Sequence, residues 1–169
     1  MPMLAILLGL AGLIPFIVCG LGAISADTGQ AARMLVALVG YGAVILSFLG
    51  GVHWGFALTP AAPLVAPDIT PVGARLAGGQ RARLALGVLP ALIGWAALLV
   101  AMVLPDWTAL VVLIAGFVGT VVVEHQAGRH MLVQPAGYLW LRWGLTIVVV
   151  AMLVTVLVLR LLGPRIVLW

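Results

Sequence analysis

Residues 3–24 form an unbroken run of almost wholly apolar side chains, and no other feature constrains the fold as strongly. A hydrocarbon core of about 30 Å takes about 20 helical residues to cross, and a helix satisfies its own backbone there without water. Residues 34–58, 84–104, 107–123 and 144–162 repeat the pattern. The expectation is an all-α, polytopic membrane protein: a bundle of about five transmembrane helices, one domain over residues 1–169. Only 7% of the chain is charged and its mean hydropathy is +1.33, against about 25% charged residues in soluble domains.

The first run has no basic segment before it, and Phe16, Ile17 and Val18 make a poor lipobox ahead of Cys19. It therefore reads as a retained span, kinked at Pro15, which lacks an amide hydrogen and crowds the preceding turn. A single cysteine sets up no disulfide framework; Cys19 reads as a small buried hydrophobe. Between the second and third spans, Pro60, Pro63, Pro67 and Pro71 with Gly73, Gly78 and Gly79 predict a long irregular loop over 59–83. In the third span Gly87, Pro90 and Gly94 predict a kink and a close helix approach. The fifth span is mostly valine and leucine with few small positions, which places it at the periphery against lipid.

All eight basic residues are arginine, against four acids. In a soluble chain that balance would suggest nucleic acid; here the arginines sit at span ends, where anionic lipid attracts them, so the expected partner is the bilayer and no nucleic acid. Five spans put the termini on opposite sides. Arg75, Arg81, Arg83, Arg129 and Arg142 fall on the N-terminal side, and Arg33, Arg160 and Arg165 on the other, which puts the N-terminus in the cytoplasm.

The most informative span is the second. Ala43, Ser47, Gly51 and Gly55 recur every four residues and read as a helix-packing stripe, since helices in lipid associate where small residues let backbones approach. Leu46, Gly50, His53 and Ala57 fall on a different face. On this reading Gly51→Leu disrupts the bundle, whereas Val149→Leu in the fifth span is tolerated.

The stretches GLIPFIVCGL, YGAVILSFLGGVHWG, LGVLPALIGWAALL and YLWLRWGLT together resemble the family of domain of unknown function 3429 (DUF3429), the transmembrane protein 69 family. The histidine between glycine and tryptophan in the second stretch is the most specific element. The resemblance implies a small multi-pass protein of a bacterial or mitochondrial inner membrane, taken here as bacterial, and supplies no catalytic residue.

Within the spans, His53 is an ionisable group near the end of its helix, and such groups usually face the bundle interior or a wet cavity. It reads either as an imidazole bonded to a serine hydroxyl or backbone carbonyl, or as a functional group. The topology brings the ends of the second and fourth spans and the start of the fifth to one side, so His53, Glu124, His125, Arg129, His130, Tyr138 and Arg142 form a candidate polar cluster. Glu124 then pairs with Arg142 or a loop arginine, or the cluster holds a small ligand such as a quinone headgroup or lipid phosphate. A haem would rest on His53 with His125 or His130. Glu124, His125 and His130 lack zinc spacing, and no metal site is expected.

No nucleophile with a base, phosphate-cradling loop or paired carboxylates stands out, so no catalytic residue and no enzyme is expected. The leading reading is a non-enzymatic accessory, assembly or interaction protein of a larger membrane complex. A quinone- or haem-binding membrane protein is the alternative, and a minimal channel or carrier comes third.

Overall fold

A computed structural model describes the backbone of residues 3–25, 27–58, 72–130 and 137–166, and side chains chiefly over 3–25, 29–55, 87–126 and 139–162. The described residues form six helices: α1 (Met3–Ala11), α2 (Ile14–Ser25), α3 (Thr28–Leu58), α4 (Val72–Val103), α5 (Asp106–His130) and α6 (Tyr138–Ile166). Helices α1 and α2 together make one apolar stretch, and the described residues form an all-helical bundle. Among the described residues four stretches, Met3–Ser25, Gly29–Gly55, Asp106–Gln126 and Leu139–Leu162, are long and apolar enough to cross a membrane, and Gly87–Val103 is a shorter apolar helix.

The first span breaks at Gly12 and Leu13, just ahead of Pro15. Proline takes its place in the first turn of α2, where a missing N–H costs nothing, but it leaves the Ala11 carbonyl without its helical donor. The chain resumes through Leu13 N–H to the Leu10 carbonyl at 3.0 Å. The Gly12 carbonyl accepts the Tyr41 hydroxyl of α3 at 2.9 Å, so the break is bridged from a neighbouring helix, as an interrupted span in lipid requires. The Asp27 carboxylate caps α3, accepting the Gln30 N–H at 2.9 Å.

Four helices are longer than the hydropathy predicts, and the first of them, α3, begins at Thr28 rather than at Met34. Helix α4 starts at Val72, which corrects the expected 59–83 loop: residues 59–71 lie outside the described residues, but 72–83 are helical. The prolines end at Pro71. After it stand Ala74, Leu76, Ala77, Gln80 and Ala82, good helix formers, and each of the three glycines costs only about 1 kcal/mol. Helix α5 continues to His130, so Glu124 and His125 sit within a helix and not past its end, and α6 begins at Tyr138 rather than Gly144.

Helices α2 to α6 pack in a closed ring, each on the next with α6 returning to α2, and α3 also touches α5 across the centre. The core holds Phe16, Leu38, Leu46, Ala97, Leu110, Leu113, Phe117, Leu153 and Val156. At its heart Phe16 meets the rings of Tyr41 and Phe117 edge-on, with centroids 5.0 and 5.9 Å away. Met102, Val103 and Trp140 stand outward, more than four-fifths exposed, as lipid-facing side chains do.

Helix α3 lies closest to α4. A Cβ on Gly50 would fall on the Gly87 carbonyl oxygen, and one on Gly94 would sit 2.9 Å from the Ala43 carbonyl oxygen. Gly87 and Gly94 thus make the expected close approach. The packing stripe of α3, however, is not the expected one. Gly51 and Gly55 are exposed, and nothing lies within 4 Å of a Cβ built on Gly51. Ser47 is exposed too, its hydroxyl bonded back to the Ala43 carbonyl at 2.9 Å. The reason is helical pitch: at about 100° per residue, each four-residue step drifts about 40°. Gly55 has therefore turned about 120° from Ala43, whereas Gly50 and Trp54 stay within about 20° of it.

Nor is α6 peripheral. Arg142, Thr146, Val149, Leu153 and Val156 are all buried and are spaced 4-3-4-3, the seam of helices packed at a shallow angle. Val149 is 4% exposed, so its side chain belongs to the core.

Candidate functional site

At the end of the bundle where α3 and α5 finish and α6 begins, the inward seam of α6 opens with an arginine. Arg142 is 6% exposed and Glu124 of α5 is 2% exposed. The Arg142 Nε–H donates to Glu124 Oε2 at 2.7 Å, and Nη2 reaches Oε1 at a longer 3.5 Å. The Arg142 Nη1 donates to the Thr146 hydroxyl at 3.2 Å, one turn on along the same seam. Buried charges persist only when paired and hydrogen-bonded, and here both conditions hold.

His53 of α3 completes the group. Its Nδ1 lies 3.1 Å from the Leu49 carbonyl oxygen. A carbonyl only accepts, so Nδ1 carries a hydrogen. Nε2 faces Glu124 Oε1 at 3.7 Å, with the His53 side chain 12% exposed. Beside it, the Trp54 indole N–H donates to the Leu84 carbonyl at 3.1 Å, tying the end of α3 to the start of α4.

His125 follows Glu124 on α5 and meets Trp143 of α6 edge-on, ring centroids 6.1 Å apart. Its Nδ1 is buried with no hydrogen-bond partner among the described residues. The side chains of Arg129, His130 and Tyr138, also expected in the cluster, lie outside the described residues. So the structure brings together His53, Glu124 and Arg142 directly, with His125 one rung along the α5–α6 seam. Sequence reasoning missed Thr146, whose signal was its position four residues after Arg142 in an otherwise aliphatic helix.

Chemically the group is rich in acceptors and holds one committed cation. No set of three His, Cys, Asp or Glu side chains among the described residues has the proximity to hold a metal ion. His53 Nε2, the atom that would bind iron in a haem site, is turned to the Glu124 carboxylate 3.7 Å away. At the opposite end a second ion pair, Arg160 Nη1 to Asp106 Oδ2 at 2.7 Å, is partly exposed and joins the end of α6 to the start of α5.

Two comparisons with known proteins bear on this arrangement. Transmembrane protein 69 of Xenopus tropicalis is 42% identical over 99 residues, which cover 58% of this chain and 33% of the relative. The chain therefore spans about a third of the length of that relative. No solved structure matches it. The model of the family described as protein of unknown function (DUF3429) matches residues 1–158, and with nearly its whole length inside that match this multi-pass membrane protein belongs to the DUF3429 family.

Proposed function

We propose that this chain is a non-enzymatic accessory, assembly or interaction protein of a larger complex in the bacterial inner membrane, its N-terminus on the cytoplasmic side. The observation that carries this reading is the closed clasp of Glu124, Arg142 and Thr146. The buried charges of Glu124 and Arg142 are spent on each other, holding α5 to α6, so they serve assembly rather than turnover. The outer surface is of a kind that suits a partner helix: Gly51 on α3, Gly119 on α5 and Gly144 on α6 each have nothing of this chain within 4 Å of an added Cβ, and small outward residues let a second helix approach in lipid.

The test is purification in mild detergent from cells expressing the chain at native level, followed by mass spectrometry of all bound protein. A stoichiometric membrane-protein partner, lost from a Gly51→Leu variant whose own bundle stays folded, is the expected result. A chain that runs alone at every detergent concentration, with no partner recovered by cross-linking in intact membranes, overturns the reading.

A further inference from the structure

Three helices meet at the Glu124 carboxylate. Oε2 accepts the Arg142 Nε–H at 2.7 Å and Oε1 accepts from Nη2 at a longer 3.5 Å, so both oxygens are satisfied from α6. Each carboxylate oxygen can accept more than one hydrogen, and Oε1 is also the atom that His53 Nε2 of α3 faces at 3.7 Å, within ion-pair range if the ring is charged. The His53 Nδ1–H is donated to the Leu49 carbonyl, one turn back on its own helix, at 3.1 Å. Nε2 is therefore the ring position left to gain or lose a proton, and its state sets the sign of the α3–α5 contact. Without a hydrogen, a lone pair faces a carboxylate oxygen. With one, an imidazolium faces a carboxylate, and the contact becomes a charge-assisted attraction. Among the described residues the charged groups on this side of His53 are Glu124 from α5 and, bonded to it, Arg142 from α6. The neighbouring α4 contributes the Leu84 carbonyl, which Trp54 occupies, and His125 is turned to Trp143. The side chains of Arg81, Arg83, Arg129 and His130 lie outside the described residues.

We propose that His53 is a proton-operated latch: protonated at Nε2, it closes on Glu124 Oε1 and fastens the end of α3 to the α5–α6 clasp, and deprotonated it lets go. Histidine is the side chain whose charge changes between about pH 5 and pH 8, so the device works over a range a cell experiences. The proton comes from water. His53 lies near the end of the apolar stretch Gly29–Gly55 and its side chain is 12% exposed, so a proton reaches it from that end without crossing the bundle. Arg142 is a second cation on the same carboxylate, which opposes closure, but its short bond goes to Oε2 and His53 takes Oε1. The next residue makes the latch selective. The Trp54 indole N–H holds α3 to the Leu84 carbonyl of α4 and does not titrate, so a change of pH alters the grip of α3 on α5 and leaves its grip on α4. The latch goes beyond the partner-binding role and does not depend on it.

The experiment compares thermal unfolding midpoints of the intact chain and of His53→Leu in neutral maltoside micelles at about pH 5 and about pH 8. Every other titratable group is common to the two proteins, so the difference between their midpoints isolates His53. The parent's advantage over His53→Leu is expected to grow by about 3 °C or more on going to the acidic buffer, as a hydrogen bond to a charged group would give. In a Glu124→Gln background the same His53→Leu change is expected to cost equally at both pH values, because the counter-charge is gone. An advantage that is the same at both pH values, or larger at the alkaline one, overturns the proposal, as does a pH-dependent advantage that survives in Glu124→Gln. Should Glu124→Gln fail to fold, nuclear magnetic resonance of the unaltered chain with isotope-labelled histidine decides. The His53 Nε2 is expected to take up a proton between the two buffers while Nδ1 keeps its own; an Nε2 still bare in the acidic buffer overturns the latch.

Discussion

Adjacent glycines on α3 provide the sharpest check on this packing, because Gly50 and Gly51 differ by one residue and by everything around them. A methyl group added at Gly50 meets the Gly87 carbonyl oxygen, with the Gly87 carbonyl carbon 3.1 Å away and its Cα 3.7 Å away. These are backbone atoms of a packed helix, so no rotamer relieves the contact and α3 must move off α4. Overpacking of this kind costs about 1–3 kcal/mol and occasionally more. The same methyl at Gly51 meets nothing within 4 Å, and in a helix interior alanine is favoured over glycine by about 0.5–1 kcal/mol. That gain applies at both positions and cancels between them, so Gly50→Ala should be less stable than Gly51→Ala by about 1–3 kcal/mol, with Gly51→Ala more stable than the parent. Each 1.4 kcal/mol is about tenfold in the folded-to-unfolded ratio. The assay is reversible unfolding in mixed micelles, titrating sodium dodecyl sulfate into mild detergent and following helix content. If the two variants unfold at the same point, or Gly51→Ala is the weaker, the α3–α4 contact described here is wrong.

The same titration tests three further side chains. Val149→Leu adds a methylene to a buried seam position and is expected to cost about 1–3 kcal/mol; no loss would return α6 to the periphery. Glu124→Gln leaves the Arg142 guanidinium buried without its counter-charge and is expected to cost about 3–5 kcal/mol, while the double change Glu124→Leu with Arg142→Met should recover most of that loss. Failure of the double variant to recover would mean that the pair does more than satisfy itself. Tyr41→Phe removes the hydroxyl donated to the Gly12 carbonyl and is expected to cost about 0.5–1.5 kcal/mol, with added amide exchange at Gly12 and Leu13 as the local sign. Unchanged exchange would show that the break is held by other contacts.

What was legible in the sequence follows from where lipid supplies contrast and where it does not. The all-helical class and the close approach at Gly87 and Gly94 were legible, because apolar length and glycine placement carry that information directly. That Glu124 pairs with an arginine was legible as well, with Arg142 or a loop arginine as the candidates, since a carboxylate and a guanidinium near the same end of adjacent helices have strong reason to meet; the structure selects Arg142. Which face of a helix turns inward was not. In water the buried face is the apolar one, but in α6 the outward Ile147, Val148 and Val154 are as apolar as the inward Val149 and Leu153. The seam had to be read from spacing alone: Arg142 and Thr146, polar residues that lipid would not tolerate, fix its phase, and steps of three and four residues then lead to Val149, Leu153 and Val156. In α3 the four-residue recurrence of Ala43, Ser47, Gly51 and Gly55 suggested a stripe that helical pitch winds away from the partner, whereas Ala43, Gly50 and Trp54, at steps of seven and four, keep to one side. In a membrane bundle, then, the phase of a helix is set by its few polar and smallest residues taken at a 3.5-residue mean period. By that rule the pitch of α3 turns Gly51 away from α4, and a bulky side chain there tests contact with a second protein rather than the stability of the bundle.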